Sequence, residues 1–121
     1  MLRKFSFDYD PENDSLFLYD AKSKSKASIE LGDVIIDFNS KKEMSGIELL
    51  EASKFFSGIE IEGTDVDKKL LNEIQDCMIE VMPKGKFLMI KMVLLFGLNR
   101  QLATPVLVPM ITEPSPALAV E

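Results

Sequence analysis

The chain predicts an α+β fold: a mostly antiparallel sheet of six to eight strands, curled or split into two packed layers, with one main helix around residues 66–76. Three observations carry that reading. Apolar and polar residues alternate through most of the first half, as half-buried strands require. Short clusters of Asp, Asn, Ser, Pro and Gly separate those runs at hairpin spacing. One stretch, Val66, Leu70, Leu71 and Ile74, changes instead to helical spacing.

In order, Phe5, Phe7 and Tyr9 alternate with Lys4, Ser6 and Asp8 to make a first strand with one wet face. Asp10-Pro11-Glu12-Asn13-Asp14 turns it, with Pro at the favoured second position. Leu16 to Tyr19 is apolar on both faces and belongs inside the sheet. A polar loop with Lys22, Lys24 and Lys26 leads to Ala27, Ile29 and Leu31, a third strand. Val34, Ile36 and Phe38 form the next, Asn39 to Glu43 are all polar and read as a hairpin loop, and Met44 to Leu50 returns. Gly46 interrupts that returning strand, which signals a bulge or a close backbone approach. Leu50, Phe55 and Phe56 fit a turn or two of helix ended by Ser57-Gly58.

The first half also resembles a known family. Tyr9-Asp10-Pro11-Glu12-Asn13-Asp14-Ser15-Leu16 and the block from Val34 to Ser53, with Ile36-Asp37-Phe38 and the ending Gly46-Ile47-Glu48-Leu49-Leu50-Glu51-Ala52-Ser53, look like the opening and the central signature of the domain of unknown function DUF2283. The resemblance implies a β-meander over 1–58. It implies no activity and no catalytic residue.

Beyond it, Ile59 to Gly63 reads as a very short strand or connector between halves. Thr64 opens the expected helix with Asp67 three residues on, a variant of the capping box. Cys77, Ile79 and Val81 alternate into a strand, Pro83-Lys84-Gly85-Lys86 turns, and Phe87 to Phe96 follows. That run is apolar on one face throughout and on the other except for Lys91. Met89, Met92, Val93 and Phe96 also fit a helix, but the flanking glycines and the Val, Ile and Phe content favour strand. Val106, Val108 and Met110, broken by Pro105 and Pro109, read as an edge strand. Residues 59–111 thus form helix plus strands, 112–121 a flexible tail, and 1–121 a single domain.

With 14 basic and 20 acidic side chains the formal charge is -6, which disfavours unspecific binding to nucleic acid or an anionic membrane. The sequence contains no His, so a His-based triad and the usual zinc ligand are excluded. The single Cys77 cannot form an intrachain disulfide, and no signal core opens the chain, so a reducing cytoplasmic location is expected. The longest apolar run, Phe87 to Leu98, contains Lys91 and falls short of the roughly 20 residues needed to span a bilayer.

Candidate chemistry is sparse. Asp8, Asp10, Glu12 and Asp14 fall at every second position like the start of a calcium loop, but Asn13 stands where Gly is needed and Tyr19 where the bidentate Glu belongs. A capped polar turn is the expectation. Asp37 and Glu48, on the two strands of the central hairpin, could approach as a carboxylate pair, yet solvated ladder residues fit better. Cys77 reads as a buried structural thiol. The lysines at 22, 24 and 26 could be extended by Lys41 and Lys42 if the two loops lie on one side, but no aromatic residue is interleaved to stack on bases. No catalytic, metal or cofactor residue is assigned. The apolar excess of the second half points to self-association, with Met89, Met92, Leu94, Phe96, Val106, Val108 and Met110 as interface candidates, unless a two-layer core consumes both faces. The reading is a small non-catalytic module that forms a homodimer or meets another protein; a regulatory or nucleic-acid-associated role comes second, and a carboxylate enzyme or weak metal binder third.

Overall fold

A computed structural model describes residues 1–97 and 100–109. The strands are β1 (Arg3–Asp10), β2 (Ser15–Tyr19), β3 (Ala27–Leu31), β4 (Val34–Phe38), β5 (Met44–Leu49), β6 (Glu60–Ile61), β7 (Thr64–Asp65), β8 (Ile74–Lys84), β9 (Phe87–Phe96) and β10 (Gln101–Pro109), with two helices, α1 (Ala52–Phe55) and α2 (Lys68–Leu71). Eight strands form one antiparallel sheet in the order β10-β9-β8-β1-β2-β5-β4-β3, and β6 and β7 pair as a separate ribbon.

The α+β class with a main helix over 66–76 is corrected to an antiparallel β fold with two helices of a single turn each. The apolar spacing was real: Val66, Leu70, Leu71 and Ile74 are all buried in the core. A single turn and an extended segment present those side chains as well as a longer helix would. Thr64 does not cap; it pairs with Ile61 across the β6–β7 turn, and the cap is Asp67, whose Oδ1 accepts from the Leu70 N–H at 3.0 Å. Helix stops after Leu71 because the chain from Ile74 pairs with β9 over almost its whole length. Ladder pairing and burial on β9 outweigh the modest helical preference of Glu73 to Asp76.

β1 is the corner of the sheet. Arg3, Lys4 and Phe5 pair with Ile79, Met78 and Cys77 of β8, whereas Ser6 to Asp10 pair with β2. The strand hands its pairing from one half of the molecule to the other, and the sheet curls there. Six strands of the sheet turn one face inward: Phe5, Leu16 and Leu18, Ile36, Ile47 and Leu49, Cys77 and Ile79, and Ile90, Met92 and Leu94 form a continuous core with Ala52, Phe56, Leu70 and Leu71, whereas β3 at the edge is largely exposed. Burial of these side chains, each contributing about 1.5–3 kcal/mol, is the dominant stabilising term.

Gly46 answers both sequence signals at once. The β4–β5 ladder shifts between Asp37 and Phe38, so that Ser45 is the extra residue of a bulge. A side chain on Gly46 would lie 3.1 Å from the Phe17 ring and 3.3 Å from the Leu18 carbonyl oxygen, so the strand also needs the missing Cβ. The predicted edge strand at 106–110 begins earlier, at Gln101; Met110 and the expected tail lie outside the described residues.

Candidate functional site

The two blocks that carry the family resemblance meet in space, at one carboxylate. Asp14 ends the β1–β2 turn in a left-handed conformation, φ 55°, which Asp tolerates better than most residues. Its side chain turns inward, 8% exposed. Tyr9 donates its hydroxyl to Oδ1 at 2.6 Å, and Ser53 donates its hydroxyl to Oδ2 at 2.6 Å and its backbone N–H to Oδ1 at 3.1 Å. The Asp14 carbonyl also accepts from the Ala52 N–H at 2.8 Å. Burial pushes the Asp14 carboxyl up, but the bonds from Ser53 and Tyr9 outweigh it and hold the group below the ordinary carboxylate range. Burial, then the bond to Asp14, pushes the Tyr9 phenol well above its usual value. A carboxylate with its acceptors filled and a phenol held neutral make a staple between the first turn and the start of α1.

The neighbouring acids turn elsewhere. Asp10 caps its own turn, with Oδ1 accepting from the Glu12 N–H at 3.0 Å and Oδ2 from the Asn13 amide at 2.7 Å. Asp8, Asp10 and Glu48 border a shallow depression of about 440 Å³. Among the described residues no three acidic or Cys side chains are grouped closely enough to hold a metal ion. Asp37 and Glu48 share the outer face but are not opposite each other: Asp37 faces Gly46, and Glu48 faces Ile35. Each carboxylate takes a serine hydroxyl from the next strand, Ser28 at 2.6 Å and Ser15 at 2.9 Å. That is the ladder role.

Cys77 is buried on the inner face, and its Sγ donates to the Phe5 carbonyl oxygen at 3.2 Å. Burial first and the charge of Asp76 second push the thiol up to about 12. It lacks the thiolate character of a nucleophile.

The interface candidates divide between the two faces. Met92, Leu94, Phe96 and Val108 are buried in the core, and Val106 packs against it. Met89 points outward, in register with Met82 on β8 and Leu107 on β10. Around it lie Met78, Phe87, Val93 and Leu95, with the Glu80–Lys91 pair near the middle. Leu107 is 58% exposed and Phe87 45%. Of the seven interface candidates, four thus face the core, Val106 packs against it, Met89 faces outward, and Met110 lies outside the described residues.

No helix among the described residues is long and apolar enough to cross a membrane. No solved structure matches the chain. Two curated archaeal proteins do. An uncharacterised protein of Methanocaldococcus jannaschii is 46% identical over 54 residues, covering 45% of this chain and 47% of that one. A protein of Methanosarcina mazei named a putative hypoxanthine phosphoribosyltransferase is 41% identical over 51 residues, covering 42% of each. The matched stretch spans about half the length of these relatives. Residues 6–53, which hold Tyr9, Asp14 and Ser53 and all the strands from the handed-over part of β1 to β5, match the family model described as protein of unknown function (DUF2283).

Proposed function

We propose that the protein is a non-catalytic interaction module that pairs with a second copy of itself through the outer face of β8, β9 and β10. The observation that carries this reading is the apolar row Met82, Met89 and Leu107 on the outer face, where Leu107 and Phe87 are exposed, Met78, Met82, Met89 and Leu95 are half-buried, and Val93 is buried among them. Its charges are Asp76, Glu80 and Lys84 on β8 and Lys91 on β9; Lys91 stands opposite Glu80, which also takes the Met1 ammonium at 2.6 Å, and Asp76 lies 3.6 Å from the Lys4 ammonium. A face carrying both signs can meet opposite charges in a copy of itself under a two-fold axis. Flexible methionines adapt to such a contact.

Edge pairing is the less favourable route. Pro105 and Pro109 lie in an unbroken β9–β10 ladder, so their missing N–H groups belong to the open side of β10. They remove donors that an added strand would need. The face of three strands, about ten residues long at about 3.3 Å per residue and about 4.8 Å wide per strand, has a footprint of roughly 480 Å². That is about 60% of the ~800 Å² that each partner gives to a standard interface, so a weak association is expected.

Light scattering during size exclusion, over a tenfold range of concentration spanning 10–100 μM, tests this. The expected result is a mass rising from monomer toward dimer, and monomer throughout for Met89→Lys/Leu107→Lys with an unchanged far-UV spectrum. A wild type that stays monomeric, or a variant that associates as well as wild type, overturns it. The phosphoribosyltransferase name of one relative does not transfer. The matched stretch here is β-meander, and α1 and α2, four residues each, offer no Gly-rich loop leading into a helix to hold a pyrophosphate.

A further inference from the structure

The two lysine loops, separate in sequence, lie side by side. Lys26 donates its backbone N–H to the Phe38 carbonyl at 2.7 Å, Asp20 to that of Ser45 at 2.9 Å, and the Asn39 amide to Ser23 Oγ at 3.0 Å. Each loop is also locked within itself. Asp20 Oδ1 accepts from the Lys22 N–H, and Asn39 Oδ1 accepts from the N–H groups of Lys41 and Glu43. Between them is a depression of about 390 Å³, bordered by the five cations Arg3, Lys22, Lys24, Lys26 and Lys41 and by the two acids Asp20 and Glu43.

Those two acids are already engaged. Asp20 Oδ2 is 3.4 Å from Arg3 Nη1, and Glu43 Oε1 accepts from the Asn39 amide at 3.2 Å. Among the described residues no carboxylate lies within ion-pairing distance of Lys22, Lys24, Lys26 or Lys41. Four like charges are therefore held around one hollow by rigid turns, in a chain whose net charge is -6. Their mutual repulsion is relieved by a compact anion of high charge. The lining has the Ser23 and Ser40 hydroxyls to add hydrogen bonds but no aromatic ring, so nothing there stacks on a base.

We propose that this depression binds an oligophosphate group, recognised by its charge and oxygens and not by any base attached to it. Free oligophosphate and the triphosphate tail of a nucleotide share that chemistry. Titration calorimetry at 20 mM salt with tripolyphosphate, ATP, orthophosphate and a twelve-residue single-stranded RNA separates the sources. The proposal expects tripolyphosphate and ATP to bind within a factor of about two of each other and orthophosphate at least tenfold more weakly. Affinity should fall steeply by 200 mM salt, where screening shortens the reach of the lysines. Lys24→Gln/Lys41→Gln, one change per loop, should weaken tripolyphosphate at least tenfold with the melting temperature of the free protein unmoved. Lys84→Gln/Lys86→Gln, on the β8–β9 turn, should leave binding as it is. No binding at 20 mM salt, equal losses in both variants, or RNA binding with tripolyphosphate silent overturns the proposal.

Discussion

Asp14→Ala takes away the acceptor for three donors at once: the Tyr9 hydroxyl, the Ser53 hydroxyl and the Ser53 N–H. Each donor left unpaired costs about 1–3 kcal/mol, and water entering the vacated space recovers part of this, so the lower end, about 3 kcal/mol, applies. Ala at φ 55° adds a fraction of the roughly 1–2 kcal/mol penalty of a left-handed residue, since Asp bears less of it. The expected loss is about 3–4 kcal/mol. Asp14→Asn keeps one acceptor oxygen and the tolerance for that φ, and should cost about 1–2 kcal/mol. Urea unfolding followed by circular dichroism measures both, through the midpoint at constant slope. Linkage adds an independent readout. The folded Asp14 carboxyl lies below its unfolded value near 3.9, so its contribution is complete above that pH and is lost as pH falls through the folded value. Below about pH 4, Asp14→Asn should therefore lose less stability per pH unit than wild type. Tyr9 acts in the other direction: its raised phenol contributes below about pH 10 and loses that contribution at higher pH. An Asp14→Ala loss under about 1 kcal/mol with unchanged slope refutes the staple.

Ser45 is buried on the bulge, and its hydroxyl has no hydrogen-bond partner. Ser45→Ala should raise stability by about 0.5–1 kcal/mol, measured by the same unfolding curves, and a loss of that size would mean the hydroxyl is paired after all. Cys77, with its thiol pushed up to about 12, should react with iodoacetamide at pH 8 about 10³-fold more slowly in the native protein than in urea, and a native rate within tenfold of the unfolded one would sink that assignment.

Most of the sheet is legible because period two survives burial: Phe5, Phe7 and Tyr9, Leu16 and Leu18, and Ile47 and Leu49 face one way in the sequence pattern and in the fold. The missing helix has the opposite cause. Val66, Leu70, Leu71 and Ile74 show only that these positions are buried, and burial at helical spacing does not compel a helix when the next residues have a ten-residue strand to pair with. The staple was hidden for a third reason. Tyr9 and Asp14 are close in sequence, but Ser53 is 39 residues from Asp14, and no local pattern announces a partner at that distance. A carboxylate inside a run of acids reads as a solvated turn, and the left-handed φ that turns Asp14 inward leaves no mark in composition.

The start of the family match at residue 6 is also where β1 changes partner: Arg3 to Phe5 pair with β8, Ser6 onward with β2. The matched stretch is therefore a structural unit, five strands closed by the Tyr9–Asp14–Ser53 staple, and it has an apolar inner face that cannot remain in water. Leu16, Leu18, Ile36, Ile47 and Leu49 are all fully buried, and what they share a core with lies outside the match: Phe56, Leu70, Leu71, and the inner faces of β8 and β9. This accounts for half of the apolar excess in the second part of the chain, because Ile79, Ile90, Met92 and Leu94 are the cover the matched unit requires. It leaves the other half, the Met82–Met89–Leu107 row, facing outward with no such duty. A strand that served only as a cover would carry polar residues on that side, as β1 does with Lys4, Ser6 and Asp8. The apolar outer face is thus the feature that the fold alone does not explain, and it is the one on which the proposed pairing with a second copy rests.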